Sequence, residues 1–223
     1  MGLDMYLSKV KRSKKGNDLE EILKVDRYLS WLDRGKERGY SYSLEDWCGL
    51  TEDDVDLDLV KEYESEYITR YYSWDTEKKY SHKSIDVMIC DWRKANQIHN
   101  WFVENVQNGV DDCGAYEVSK EQLEELLEIC SNVLAHSKLI KGSVINGYTI
   151  EDGKEVPIYQ DGKMIDDPSY AAVHLPSVSG FFFGSTDYDQ WYYADVKYTK
   201  EALQKILKDT DFEKEIVYYR SSW

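Results

Sequence analysis

Along the first ten residues Leu3, Met5 and Leu7 alternate with more polar neighbours, the period of a strand with one buried face. A basic turn from Lys11 to Lys15 separates that strand from a stretch in which Ile22, Val25, Leu29 and Leu32 recur at helical spacing, predicting an amphipathic helix from Asp18 to about Asp33 that ends near Gly35. Residues 36–79 are acidic around Glu52 to Asp58 and tyrosine-rich from Tyr63 to Tyr72, and read as a variable insertion built of short elements. Ser84 to Cys90 alternates again, with Ile85, Val87 and Ile89. A helix is predicted from Asp91 to Gln107, stopped by Asn108-Gly109, since glycine is the usual left-handed cap.

After an extended piece from Cys113 to Val118, Ser119 and Gln122 form a capping box ahead of Leu123, Leu126, Leu127, Cys130, Val133 and Leu134, the clearest helical stripe in the chain. Asn146-Gly147, Asp152-Gly153 and Asp161-Gly162 then punctuate short apolar runs and predict hairpins. A strand from Gly180 to Phe183, a helix from Lys200 to Lys208 and a strand from Glu215 to Tyr219 complete the pass. There is no internal repeat and no Pro-rich linker. The fold class predicted is α+β, a single domain over residues 1–223 with a mainly antiparallel sheet packed by three to four amphipathic helices.

Composition narrows the partners. Aspartate and glutamate number 43 against 28 lysines and arginines, for a formal charge of -15. That opposes direct binding to nucleic acid, which rests on neutralising phosphates. An acidic surface serves solubility, or imitates a nucleic acid in another protein's basic groove, and both readings stay open. Cys48, Cys90, Cys113 and Cys130 form no CxxC pair and lie at no zinc spacing, so they read as free thiols in a reducing compartment. No apolar run reaches the roughly 18–20 residues that span a bilayer, and the start of the chain carries neither a signal segment nor a myristoylation pattern. The expectation is a cytoplasmic protein with no membrane partner, no metal and no cofactor. A homo-oligomer stays open.

Three places carry candidate chemistry. On the predicted central helix, Arg93, Asn96 and Asn100 at i, i+3 and i+7 offer a guanidinium fork and amide donors to a phosphate or carboxylate, edging an apolar face of Trp92, Ala95, His99, Phe102, Val103 and Val106. His99 sits within that face, where a histidine is more often a satisfied core residue than a catalyst. Trp101 points the other way and suggests a second contact layer or a partner surface. Asp111 and Asp112 in a glycine-flanked loop offer paired carboxylates to a hard cation or form a solvated helix-to-strand connection; the spacing of a calcium loop is absent, which favours the connection.

The third place is GFFFGSTDYDQWYY, residues 180–193. Ser185 and Thr186 in a polar turn present backbone N–H groups to an anion if a helix starts there, although the phosphate-loop pattern is absent. Asp187, Tyr188 and Trp191 fit a ribose and a flat ring, or else they cap a helix and cover the sheet.

Taken together, MGLDMYL, DWRKANQIHNWFVENVQNGVDDCG and GFFFGSTDYDQWYY resemble an uncharacterised family of small phage and bacterial proteins. The resemblance implies a phage or mobile-element setting, and that the three blocks meet around one site. Three functions follow as expectations. The first is a phage-type accessory protein binding a small polar, nucleotide-derived ligand, as in sequestration of a host-defence signal. The second is an acidic protein-binding inhibitor or nucleic-acid mimic acting on a host protein. The third is an enzyme with an unrecognised site, for which no protease, kinase, glycosidase or dinucleotide-binding signature speaks.

Overall fold

In the computed structural model the alternation of Leu3, Met5 and Leu7 becomes strand β1, Asp4–Lys11. The structure describes residues 2–39, 41–75, 78–151, 153–180 and 183–223. Helix α1, Leu19–Arg38, starts where the Asp18 carboxylate accepts the Glu21 N–H, and it runs through Gly35 to a left-handed Gly39. An isolated glycine costs a helix only about 1 kcal/mol, so the stripe of Ile22, Val25 and Leu29 carries it onward.

The acidic, tyrosine-rich stretch contains short pieces: α2, Leu44–Cys48, α3, Leu57–Tyr63, and a hairpin of β2, Ile68–Asp75, with β3, Lys78–Ser84. Strand β4 follows at Val87–Arg93, then α4 at Asn96–Asn105, β5 at Tyr116–Glu117 and α5 at Lys120–His136 behind the expected Ser119–Gln122 capping box. Strands β6, Leu139–Glu151, and β7, Lys154–Ile165, pair as one antiparallel ribbon. Helix α6 spans Ser169–His174, α7 Gln190–Asp209, and β8 Glu215–Ser222.

The class is α+β, as the periodicities predict. The largest sheet has the order β4-β1-β8-β5, with β2-β3 and β6-β7 as separate pairs. Just past the end of β4 the Lys94 N–H bonds the Leu3 carbonyl just before β1, and just past β1 the Arg12 N–H bonds the Lys214 carbonyl just before β8. Ends meeting starts in this way make both pairings antiparallel.

Contacts divide the chain into two compact units, residues 1–7, 90–210 and 219–223, and residues 8–89 and 211–218. The first buries Leu3, Met5 and Leu7 with Trp92, Ile98, Phe102, Leu123, Leu126 and Leu203. The second packs Val10, Ile22, Val25, Leu59, Tyr63, Ile85, Ile216 and Tyr218 into one core. There Tyr218 donates to Asp86 and the Ile85 N–H donates to Asp26, so the polar groups of that core are held by partners.

Four local expectations are corrected. Trp92 and Arg93 belong to β4, in which Cys90 and Trp92 are buried, Asp91 between them is half-buried and Arg93 is exposed. The i, i+3, i+7 relation of Arg93 to Asn96 and Asn100 therefore does not exist. Trp101 is an inward contact rather than a partner surface: it is 5% exposed and meets Phe102 edge to face, in a helix buried on nearly every side.

Of the three turn dipeptides, Asn146-Gly147 marks a register shift within β6, and Gly162 lies inside β7, where a Cβ would stand 2.6 Å from Val144. Asp152 lies outside the described residues, as do Phe181 and Phe182 of the expected strand, whose flanks Gly180 and Phe183 are not extended ladder but share a backbone hydrogen bond. Helix α7 begins ten residues earlier than its aliphatic run suggests, since Tyr192, Val196, Thr199, Leu203 and Ile206 form its buried stripe and Asp189 caps it.

Candidate functional site

Strand β4 ends in a corner made by two unusual residues. Lys94 has a left-handed backbone, φ 61, and Ala95 has φ -79 and ψ 70, an inverse γ-turn closed by the Asn96 N–H on the Lys94 carbonyl. A positive φ in a residue with a side chain stores strain, and such strain collects at binding and catalytic sites. The turn leaves Arg93 and Lys94 exposed side by side. Arg93 reaches Asp4 with one nitrogen at 3.3 Å and keeps most of its side chain in solvent. Among the described residues no carboxylate lies within ion-pair distance of the Lys94 ammonium.

Against this corner lies the segment around Gly184. Its φ is +93, and a Cβ there would stand 3.2 Å from Lys94 Cβ and 3.3 Å from the Lys94 carbonyl. Asn96 fixes the segment: its Nδ2 donates to the carbonyls of Phe183, 3.2 Å, and Ser185, 2.9 Å, and its Oδ1 accepts the Val178 N–H at 2.9 Å. All three sequence blocks therefore meet here, Leu3 and Asp4 from the first, Arg93 to Asn96 from the second and Phe183 to Ser185 from the third. Gly184→Ala is expected to cost about 1–2 kcal/mol, through its positive φ and the contact with Lys94. Thermal unfolding checks this, and an unchanged midpoint would show that the corner relaxes freely.

The other predicted residues divide. Ser185 and Thr186 are exposed on the segment, with Ser185 Oγ accepting the Asp187 N–H and the Thr186 carbonyl accepting from Ser177 Oγ. Asp187 is half-buried. Tyr188 is a strap, its hydroxyl accepting the Ser177 N–H and its carbonyl the Ile165 N–H. Trp191 stands in the first turn of α7 and is 53% exposed. Asn100 is half-buried on α4, and Asn96 is occupied as a clasp rather than offered as a donor. The N–H groups that open α7 are already taken by Asp189, which accepts from Trp191 and Tyr192. That helix start is closed to an anion.

His99 is 1% exposed and joins a chain of side chains that its spacing did not announce. Its Nδ1 lies 2.7 Å from the Tyr219 hydroxyl and its Nε2 3.0 Å from Asp111, whose other oxygen accepts from the Trp223 indole N–H at 3.1 Å. With Asp111 as carboxylate, Nε2 carries the proton and Nδ1 accepts from Tyr219. Tyr219, fully buried and stacked on Phe102 at 4.0 Å, is held well above the usual tyrosine range by burial. A couple sealed in this way positions the 108–114 loop and β8 rather than meeting a substrate. Asp111 thus has a structural partner that a solvated connection would lack.

Two further acids, buried Asp189 and half-buried Asp195, cap and line α7. Asp189 is 1% exposed, its carboxyl is raised above the ordinary range by burial, and its Oδ2 has no hydrogen-bond partner among the described residues. Asp195, one face along α7, is pushed up to about 7 by burial, with the Asp189 charge adding to it and a 3.5 Å contact from Gln97 Nε2 opposing. Cys90 and Cys130 are pushed up to about 12 by burial, which keeps both as inert thiols. Among the described residues no cluster of histidine, cysteine or acids is arranged to hold a metal ion, and no helix is long and apolar enough to cross a membrane. Comparison of the chain with protein-family models, with curated proteins and with solved structures finds no match in any of the three.

Proposed function

We propose that this chain binds a small anionic, nucleotide-derived ligand, in the manner of a phage-type accessory protein that sequesters a signal of host defence. The observation that carries the reading is the corner itself. In a chain of formal charge -15, a strained turn holds two exposed cations, Arg93 and Lys94, against a fixed polar segment bearing the Ser185 and Thr186 hydroxyls. Arg93 retains donors for a phosphate or carboxylate oxygen, Lys94 adds a point charge, and the accessible Trp191 ring is suited to stacking on a base.

Titration calorimetry against cyclic dinucleotides and ADP-ribose, with wild type and an Arg93→Ala/Lys94→Ala variant, tests it. A member of the panel is expected to bind the wild type with micromolar affinity, weakening about tenfold or more in the variant. Absence of binding across the panel, or equal binding by the variant, overturns the reading.

A further inference from the structure

One face of the main sheet carries, at its Arg93 end, polar groups that the corner does not use. Leu3, Met5 and Leu7 of β1, Cys90 and Trp92 of β4, and Tyr219 and Ser221 of β8 are buried, so by the two-residue period of a strand Asp4, Tyr6, Asp91, Arg93 and Arg220 point the other way. Contacts across the strands agree. Arg93 meets Asp4 at 3.3 Å, and the guanidinium carbon of Arg220 lies 5.7 Å from the centre of the Tyr6 ring. Continuing the antiparallel ladder from the Lys94 N–H on the Leu3 carbonyl sets Asp91 across from Tyr6.

Arg93 and Arg220 are the two arginines of their compact unit, and both stand on this face. Arg220 is exposed, and among the described residues it belongs to no ion pair. Asp91 is half-buried. Burial and the neighbouring Asp4 charge push its carboxyl above the usual range, and among the described residues no side chain donates a hydrogen bond to it. It is an accessible acceptor without a donor.

We propose that this face reads the base of the ligand whose anion sits on Arg93 and Lys94, and that the base is guanine. The inference rests on the anion reading of that corner. A carboxylate accepts and does not donate. Guanine offers it two adjacent donors on one edge, the ring N1–H and the 2-amino group, one for each oxygen. Adenine sets its amino group beside a bare ring nitrogen, whose lone pair would face a carboxylate oxygen with no proton between them, and such a mismatch costs binding. Cytosine repeats that pattern, and uracil presents a single N–H between two carbonyls. The planar Arg220 guanidinium, exposed beside Tyr6, is suited to stacking on the ring. Asp91 and Arg93 stand two residues apart on one side of β4, about 7 Å at the backbone. The Arg93 stem lengthens that span, so base and phosphate of one nucleotide are engaged together. Trp191 stays available to the second base of a dinucleotide.

Titration calorimetry with GMP, AMP, cyclic di-GMP and cyclic di-AMP tests this on wild type, Asp91→Asn, Arg220→Ala and Arg93→Ala/Lys94→Ala, with circular dichroism confirming that each variant folds. The guanine member of each pair is expected to bind wild type about tenfold or more tighter. Asp91→Asn brings an amide that both donates and accepts, so it should lose affinity for guanine, gain it for adenine, and narrow or reverse the preference. Arg220→Ala should weaken all four ligands alike, because stacking tolerates any base. Equal binding of guanine and adenine nucleotides by wild type overturns the proposal, and so does a preference that Asp91→Asn leaves intact. In both cases a loss of affinity in Arg93→Ala/Lys94→Ala still upholds the anion reading, whereas a panel without a binder sinks both.

Discussion

Replacing His99 with alanine is expected to lower the unfolding free energy by about 3 kcal/mol, a loss of roughly 6–12 °C in midpoint for a chain of this size. The imidazole is buried and both of its nitrogens are engaged, one by the Tyr219 hydroxyl and one by Asp111. Truncation removes two hydrogen bonds, opens a void against Phe183 and Tyr219, and leaves a buried phenol and a carboxylate short of a partner. Unsatisfied buried groups are what make such losses large. Tyr219→Phe removes only one hydroxyl and should cost about 1–1.5 kcal/mol.

In the double variant the two losses should fall short of adding, by about 1 kcal/mol, because each removes the same bond. Denaturant unfolding of the four proteins measures this. A His99→Ala loss below about 1 kcal/mol would mean that the chain from Tyr219 to Trp223 is incidental to the fold.

The second large effect concerns pH. Burial holds the Asp195 carboxyl at about 7 in the folded state, whereas an unfolded chain ionises it near 3.9. Between those values the folded form binds the extra proton. Its contribution to stability is therefore fully present below about pH 4 and is lost as pH rises through about 7, with a slope of at most about 1.4 kcal/mol per pH step and a total on the order of 4 kcal/mol. Asp189, also raised by burial, acts in the same direction.

Asp195→Asn keeps the shape and removes the charge. It should be near neutral at about pH 4 and more stable than wild type by roughly 2–4 kcal/mol at about pH 8. Thermal unfolding across that range reads the difference. An offset between the two proteins that is the same at both ends would remove Asp195 as its source.

What was legible in the sequence is what depends on period and caps. Leu3, Met5 and Leu7 announce β1, the stripe of Ile22, Val25 and Leu29 announces α1, the Ser119–Gln122 capping box announces α5, and all three start where their patterns put them. The boundary between β4 and α4 was not legible, because Trp92, Ala95, His99 and Phe102 fit a helical face as well as they fit a strand, a tight corner and a buried helix. No propensity marks Lys94 as left-handed; the segment packed against it, at Gly184, lies ninety positions along the chain.

The corner at Arg93 was half legible. Arg93, Ser185 and Thr186 are there, but Lys94 carried no signal beside its neighbour, and Asn96 turned out to hold the segment together. Tyr219 and Trp223 reach His99 only through tertiary pairing, which local pattern does not encode.

The order of the main sheet bears on how the chain is made. Strand β1 lies between β4 and β8, so one of its edges waits for a segment about two hundred residues downstream. At 5–20 residues per second of synthesis that wait is on the order of 10–40 s. For that time Met5 and Leu7 lack their β8 neighbours, and the open edge is a template for unwanted pairing. The ladder closes last and over the longest loop, so its formation is expected to be slower than that of α1 or α5.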